Sequence, residues 1–551
     1  MKPIKCLLPI TLIGALAGYA QSGHADNDPY PAAHPSAGIQ PKRPANYQPY
    51  KYPLSAQELL AKDGPAMAKL SKAAWADIER VNGQGKFNNT RESLATHQCP
   101  EWFKDAKIGM FIDWGPWSVG GYSPTNQFHA SGALYPDWYE KFIHVKEPVK
   151  QYHAQTWGAD IGNDDLINLL SDRRFDSRNF ARLAKACGFR YVVPFLKHHG
   201  GFCLWDSSYT HRDSMDWAFH RDFATELSKA CKQVGLKFGA YVSVGEWDYP
   251  AIRPDGQLGL FGFDAKLSVT NNLDDCIFLS GKIPVKDFAR DYLIPATKEL
   301  IDKTAPDILW WDGEWENTSE FYRTRDLNAY YYNRAAQNHQ EVCINDRSGN
   351  DYRGKKKDPA CISDFITSEY GGGNDHEDAA WEECRSFSRN FGYNWTEESD
   401  PTAILSDKAC IDLVVDIIGR GGNLLLIVSP TGTGEIPARQ LHAINNLGDW
   451  LKQHGEAIYN TRAYKLAEQP KWGRITHSKD NRKVYLHITH WPADGRIEVP
   501  RIPVESIETA TVMNGQGMPG FTQPTQDGFT VDLSGCLPGD PRVSVIVLNT
   551  K

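Results

Sequence analysis

The chain has 551 residues and a formal net charge of −8, with 41% hydrophobic and 23% charged residues. This length accommodates one large domain with one or two small ones, and the composition is that of an ordinary globular protein. The acidic balance argues against a nucleic-acid partner, because proteins that bind the phosphate backbone need a basic face. The 17 Trp and 24 Tyr residues favour carbohydrate recognition, although a large aromatic core is the simpler explanation.

The N-terminus resembles a secretory leader. Lys2 and Lys5 precede an apolar stretch from Cys6 to Ala17 that is too short to span a membrane, and small residues follow it. We therefore expect residues 1–25 to be a signal peptide and the protein to be periplasmic or secreted. No other segment is long and apolar enough to cross a bilayer, so no membrane insertion is expected.

The next two segments are predicted to be a flexible linker and a helical extension. Residues 26–54 are rich in Pro, Ala, Tyr and Asn, which is typical of a flexible linker. Residues 55–98 are predicted to be largely helical. Ser55 begins a short capped helix that Gly64-Pro65 should end, and a second helix is predicted over 66–80.

Residues 99–468 alternate short apolar runs with amphipathic stretches. This repeated order predicts an α/β domain of parallel strands joined by helical crossovers, and its length fits a (β/α)8-like barrel better than a Rossmann sheet. Neither the dinucleotide-binding nor the P-loop glycine motif appears, so no nucleotide cofactor is expected. The predicted strands are 108–112, 191–196, 237–244, 307–311, 341–345, 363–368 and 423–428.

Residues 469–551 have a different pattern, with alternating or β-branched runs between Gly and Pro turns. This pattern predicts a small antiparallel β-sandwich domain. The domain would either bind glycan or brace the barrel, and the sequence is compatible with both. Its predicted strands are 483–489, 498–502, 528–533 and 543–548.

Charged and aromatic residues directly follow the predicted barrel strands. Active sites of such barrels lie at the C-terminal ends of the strands, so these residues are expected to meet on one rim. The most informative strand ends in Asp312, with tryptophans on both sides. A carboxylate walled by aromatic rings suits a sugar substrate, although Asp312-Gly313 alone is equally compatible with a surface turn.

No metal site is expected in this chain. His198 and His199 are adjacent, and neighbouring residues leaving a strand point in opposing directions, so they rarely bind one ion. The cysteines are scattered without the close pairs of a zinc ribbon. Hydrogen bonding to sugar hydroxyls is the favoured role for the two histidines.

Over roughly residues 100–465 the chain resembles glycoside hydrolase family 29, the α-L-fucosidases. Each matching motif alone is weak, but together and in this order they are specific. The motifs are Trp102–Gly115, Lys197–Trp205, Gly235–Gly239, Trp311–Gly313, Asn345–Arg347, Phe391–Asn394 and Gly421–Leu426.

The resemblance implies a retaining, exo-acting enzyme that removes a terminal sugar from an oligosaccharide or polysaccharide. It implies that Asp312 is the nucleophile and Glu369 the acid/base. Glu377, Glu382 and Glu383 are rivals for the second role, but their charged, helix-like run predicts a solvated helix face. The resemblance implies substrate binding by Asp113, Asp137, Trp138, His198, His199, Tyr241, Arg347 and Phe391.

Three positions depart from the family pattern. Asp113 replaces the histidine of F-I-H-W-G, Gly200 replaces the aspartate of H-H-D-G-F, and Asp137 replaces the glutamate before Trp138. In the family, the first of these residues helps to recognise the sugar near its 4-hydroxyl and C5 substituent. An acceptor there would suit the extra hydroxyl of L-galactose.

We favour an α-L-fucosidase that tolerates the change, and an α-L-galactosidase is one alternative. A non-catalytic carbohydrate-binding barrel is another alternative. The presence of both Asp312 and Glu369 argues against the non-catalytic alternative.

Overall fold

The computed structural model describes residues 39–125, 134–217, 219–261, 270, 272–353, 363–371, 379–464, 466 and 468–551. The predicted leader and the first part of the predicted linker lie outside the described residues, as does Glu377. The remainder contains a parallel barrel, an N-terminal helical extension and a C-terminal sandwich.

Eight parallel strands form one sheet in the order β5-β4-β3-β2-β1-β8-β7-β6. A parallel bridge between Asn345 and Phe365 joins the ends of this order, which confirms the predicted (β/α)8-like architecture. The strands are rich in Val, Ile, Leu and Phe because side chains on both faces are buried. Their bounds are β1 Ile108–Ile112, β2 Tyr191–Lys197, β3 Lys237–Ser243, β4 Ile308–Asp312, β5 Cys343–Ile344, β6 Ile366–Glu369, β7 Trp381–Ser386 and β8 Asn423–Val428.

Strand β7 was not among the predicted strands. Its sequence carries two adjacent glutamates, Glu382 and Glu383, which is typical of an exposed helix. In the barrel both side chains are fully buried, because one face of the strand points to the barrel interior and the other to the surrounding helices. The predicted solvated helix face is therefore wrong.

Helices cover the outside of the barrel. In the part of the chain described here, no helix combines the length and apolar character needed to cross a membrane. The α-helices are Ala56–Gln84, Arg91–Leu94, Glu101–Ala106, Trp117–Gly120, Tyr139–Val145, Glu147–Thr156, Asn163–Leu169, Ser177–Ala186, Phe223–Gln233, Ile294–Thr304, Thr324–Gln337, Asp407–Gly419 and Ala438–His454. A hairpin of Pro250–Ile252 and Leu258–Leu260 projects between β3 and β4.

The first of these helices, Ala56–Gln84, is uninterrupted. Ser55 caps it as predicted, with the Glu58 amide donating to the serine hydroxyl, but the predicted break at Gly64-Pro65 is wrong. Proline inside a helix costs roughly 3 kcal/mol. The buried Leu59 and Met67 side chains lie on either side of Pro65 and offset that cost, because each contributes about 1.5–3 kcal/mol when it is buried.

The segment before this helix is packed against the barrel. Arg43 forms an ion pair with Asp160 at 2.7 Å, the Tyr47 hydroxyl donates to Asp165 at 3.0 Å, and the Tyr52 ring stacks on a barrel tryptophan. The prediction of a flexible linker is therefore wrong for residues 39–54.

The C-terminal sandwich is confirmed, and it begins earlier than predicted. Its first strand, β9, ends before residue 469 and already pairs with β10. The five-stranded sheet has the order β9-β10-β11-β16-β13, and the three-stranded sheet has the order β12-β15-β14. The bounds are β9 Thr461–Ala463, β10 Gly473–Ser478, β11 Lys483–Ile488, β12 Arg496–Val499, β13 Ile507–Val512, β14 Gly520–Phe521, β15 Phe529–Asp532 and β16 Ser544–Thr550.

Candidate active site

A cavity of about 260 Å³ opens at the carboxyl ends of the barrel strands. Nine of the ten predicted site residues line it, and Asp113 is the exception. Six further aromatic side chains lie in the lining. Trp310 and Trp315 are among the tryptophans that flank Asp312 in the sequence, whereas sequence reasoning did not select the other four. Period-two alternation along β1 could have identified Phe111 as inward-facing. The six are Phe111, Tyr135, Phe142, Phe195, Trp310 and Trp315.

Asp312 is the last residue of β4 and faces the cavity. Its Oδ1 accepts a hydrogen bond from Arg347 at 2.7 Å, and its Oδ2 accepts one from the Tyr241 hydroxyl at 2.5 Å. Burial opposes ionisation of this carboxyl, but the charge of Arg347 and the hydrogen bonds from Tyr241 and Arg347 act together against burial, and the pKa of Asp312 lies below its usual value. Asp312 is therefore ionised and oriented by two donors, as a nucleophile requires.

Gly313 allows the chain to turn directly after this carboxylate. Its φ of +77° lies in the left-handed region, which favours glycine. A Cβ atom here would lie only 2.5 Å from the Ser243 hydroxyl oxygen. Asp312 and Gly313 are both buried, so the surface-turn interpretation is wrong, and the glycine instead lets the chain leave an active-site strand.

Arg347 joins the two predicted catalytic carboxylates. One terminal nitrogen contacts Asp312 and the other contacts Glu369, the last residue of β6. Arg347 Nε donates to the Thr367 hydroxyl at 2.8 Å, which orients the guanidinium. The shared guanidinium holds the two carboxyl groups in one pocket, as a reaction that uses a pair of carboxyl groups requires.

The two histidines after β2 are neutral groups in the cavity wall. Burial lowers the pKa of His199 to about 4 and that of His198 well below its usual value. His199 Nδ1 is 2.7 Å from the Ser243 hydroxyl, and its Nε2 is 3.9 Å from Asp312. Among the described residues, no group of three or more His, Cys, Asp or Glu side chains could hold a metal ion. Neutral imidazoles both donate and accept hydrogen bonds, which suits sugar hydroxyls.

Two further buried carboxyls lie on the other side of the cavity. Asp137 lines the cavity, and its Oδ2 is 3.6 Å from His198 Nε2. No described residue hydrogen-bonds to Asp137 Oδ1, which is buried. Burial and then the charge of Asp113 raise the pKa of Asp137 well above its usual value, which favours the protonated, neutral form of this carboxyl.

Asp113 does not reach the cavity. It is fully buried, and its Oδ1 accepts a hydrogen bond from Trp117 Nε1 at 2.8 Å. Burial raises the pKa of Asp113 to about 7. The L-galactose hypothesis required this side chain to bind the sugar directly, and its position behind the cavity wall does not favour that hypothesis.

The aromatic residues form the floor and one side of the cavity. The Trp310 ring lies beneath the Arg347 guanidinium, whose central carbon is 4.7 Å from the ring centre. Trp138 contacts His199 and Trp315, with ring centres 5.3 and 5.7 Å apart. Trp315 is 40% exposed, which places it at the mouth of the cavity. These rings give an apolar sugar face a surface to pack on.

Known proteins resemble this chain in both sequence and structure. A family model described as Alpha-L-fucosidase matches residues 74–456. The tissue alpha-L-fucosidase of Rattus norvegicus is 27% identical over 459 residues, which cover 81% of this chain and 88% of that protein. The alpha-L-fucosidase of Dictyostelium discoideum is 26% identical over 478 residues, which cover 83% of this chain and 93% of that protein.

Solved structures show the same architecture. The crystal structure of Thermotoga maritima alpha-fucosidase matches with a TM-score of 0.66 at 29% identity, covering 84% of this chain and 100% of that one. The same enzyme in complex with fucose matches with a TM-score of 0.65 at 27% identity, again covering 84% of this chain and 100% of that one.

Proposed function

The chain belongs to the α-L-fucosidase family and is a glycoside hydrolase, and we propose that it removes terminal α-L-fucose from glycans with retention of configuration. The observation that carries the proposal is the contact of one guanidinium with both Asp312 and Glu369 inside an aromatic cavity. Asp312 acts as the nucleophile and Glu369 as the acid/base.

The first step forms a covalent intermediate. An oxygen of Asp312 attacks the anomeric carbon of the sugar while the glycosidic C–O bond breaks. The bonding electron pair goes to the departing oxygen, which takes a proton from Glu369. Arg347 and Tyr241 hold the Asp312 carboxylate during the attack, because each donates a hydrogen bond to a different oxygen.

The second step releases the sugar. Glu369, now a carboxylate, takes a proton from a water molecule whose oxygen attacks the anomeric carbon. The bond to Asp312 breaks, and the carboxylate returns to its two donors. Both residues end in their starting protonation states, so the net reaction is hydrolysis with two inversions at the anomeric carbon.

The shape of the cavity supports exo action on a deoxy sugar. The inward rings of Phe111, Phe195 and Trp310 are buried and close the floor, so the cavity receives the end of a glycan. An apolar floor suits the methyl group at C5 of fucose better than the hydroxymethyl group of L-galactose. Fucose is therefore the proposed glycone.

The decisive experiment measures hydrolysis of an aryl α-L-fucoside by the wild type, Asp312→Ala and Glu383→Gln. We expect turnover by the wild type, none above background for Asp312→Ala, and nearly normal turnover for Glu383→Gln. Glu383 is a suitable control because it is a fully buried carboxyl that does not line the cavity. The first-formed anomer, followed by NMR, should be α. A β product would contradict retention, and faster cleavage of an aryl α-L-galactoside would contradict the glycone.

The leader-like start of the chain supports a periplasmic or secreted location for the enzyme. A fusion of residues 1–25 to a reporter that is active only outside the cytoplasm tests this proposal. Reporter activity is expected. Its loss on replacing the apolar stretch with charged residues would link export to the leader.

A further inference from the structure

A glutamate with no role in the proposed reaction is buried inside the barrel beneath the cavity. Glu382 lies on β7, and its side chain is fully buried. Its Oε1 accepts a hydrogen bond from Trp310 Nε1 at 2.9 Å, and its Oε2 accepts one from the Tyr191 hydroxyl at 2.5 Å. No Lys or Arg nitrogen of the described residues lies within 4.0 Å of it, so two neutral donors satisfy a buried acid.

A glycine on the neighbouring strand provides the space for the hydrogen bond between Tyr191 and Glu382. Tyr191 begins β2, and Gly109 stands beside it on β1. A Cβ atom on Gly109 would lie only 2.2 Å from the Tyr191 ring, so any larger residue would push the ring aside. The glycine of the first motif thus allows a tyrosine from one strand to reach a glutamate on another.

Trp310 connects this buried group to the catalytic carboxylates. Its indole nitrogen is held by Glu382, while its ring lines the cavity and supports the Arg347 guanidinium at 4.7 Å. Arg347 in turn donates to Asp312. The contacts therefore run without a gap from the barrel interior to the nucleophile.

We propose that Glu382 is a positioning residue of the hydrolytic reaction, which fixes Trp310 and through it the guanidinium that holds Asp312 and Glu369. The inference rests on the proposed function, since it concerns the same reaction. Removing Glu382 leaves Trp310 Nε1 buried without an acceptor, and the indole then shifts beneath Arg347. Small displacements of oriented catalytic groups cost large factors in rate.

The charge state of Glu382 provides a readout that a purely structural group would lack. Burial raises the pKa of Glu382 to about 7, although Tyr191, Trp310 and Arg347 all act to lower it. The other titratable groups whose pKa is affected by its charge are the thiols of Cys343 and Cys384. Above pH 7 the ionised carboxylate makes charge-assisted hydrogen bonds to its two donors, and these are stronger than neutral ones.

The experiment compares Glu382→Gln with Glu383→Gln in the full chain. Both residues are fully buried neighbours on β7, but their side chains point to opposite faces of the strand. Protonated glutamate and glutamine are nearly isosteric, so the ratio of wild-type to Glu382→Gln kcat should be close to one at pH 5.5. By pH 8 it should rise to about 10, the loss expected when charge-assisted hydrogen bonds are replaced by neutral ones. KM should change little.

The ratio of wild-type to Glu383→Gln kcat should not vary with pH. A pH-independent ratio for Glu382→Gln, or a loss equal to that of the control, would overturn the proposal while leaving the proposed function intact. Absence of wild-type turnover on the aryl fucoside would instead contradict the proposed function.

Tyr191→Phe removes one donor and leaves the glutamate in place. It keeps the proposal testable if Glu382→Gln does not fold. Loss of this donor should raise the pKa of Glu382 further, because the Tyr191 hydrogen bond lowers it. The wild-type to Tyr191→Phe kcat ratio should therefore also increase above pH 7, and a constant ratio would again overturn the proposal.

Discussion

The two sides of the cavity hold their carboxyl groups in different ways. On one side, Asp312 and Glu369 share the charge of Arg347. On the other side, Asp113 and Asp137 are buried, and no Lys or Arg nitrogen of the described chain lies within 4.0 Å of either. The pKa of Asp312 is accordingly lowered, whereas burial raises the pKa values of Asp113 and Asp137.

This difference separates reaction from recognition. A nucleophile must be ionised, so a buried cation accompanies it. A group that only binds hydroxyls is more useful when it is neutral, because a carboxylic acid both donates and accepts a hydrogen bond. Aspartate thus serves as a charged nucleophile where Arg347 contacts it and as a neutral hydrogen-bonding group where Arg347 does not.

Removing that arginine should have the largest effect. In Arg347→Met, we expect kcat/KM for an aryl fucoside to fall by about 10³-fold, the loss seen when a preorganised electrostatic partner is removed. Without the guanidinium, burial dominates and raises the pKa of Asp312. The acidic limb of the kcat/KM profile should therefore move to higher pH. An unmoved limb would show that Arg347 does not control the nucleophile.

The side of the cavity with the raised pKa values can be tested by replacing Asp137. Asparagine resembles a protonated aspartate, so Asp137→Asn should raise KM only a few-fold. Asp137→Ala should raise KM by about 10²-fold, because it leaves a buried sugar hydroxyl without a partner. Steady-state kinetics at pH 6 measure both. Equal losses in the two variants would mean that Asp137 is used as an anion, and the contrast between the two sides would fail.

The smallest effect concerns Asp113 and stability. Its pKa is about 7 in the folded chain, above the ordinary value of 3.8 that it has on unfolding. The folded state therefore binds the extra proton, and the stability contribution is lost as pH rises towards and through 7. Asp113→Asn should show a smaller fall in Tm between pH 5 and pH 8 than the wild type. Equal falls in Tm for the two proteins would mean that a group other than Asp113 causes the pH dependence of stability.

The same variant tests the glycone. Because Asp113 does not line the cavity, its replacement should leave the preference for aryl fucoside over aryl α-L-galactoside unchanged. A reversed preference would restore the L-galactose hypothesis.

Sequence reasoning succeeded where pattern and packing agree. Strand β4 and its terminal Asp312 follow from an apolar run that ends in a charge, and the observed bounds differ from the prediction by one residue at each end. It failed where tertiary burial overrides local character. Glu382 and Glu383 resemble a solvated face until a barrel encloses them, and Pro65 resembles a helix end until packing holds the helix through it. The distance of the Asp113 side chain from the cavity could not be predicted for another reason. The identity of a residue does not tell how far its side chain lies from a cavity.

The contact between Arg347 and Glu369 has a consequence for the resting enzyme. The guanidinium donates to Oε1 of Glu369. The proton that passes between Glu369 and the departing oxygen is therefore expected to travel through Oε2. Arg347 thus determines which oxygen of the acid/base faces the glycosidic bond.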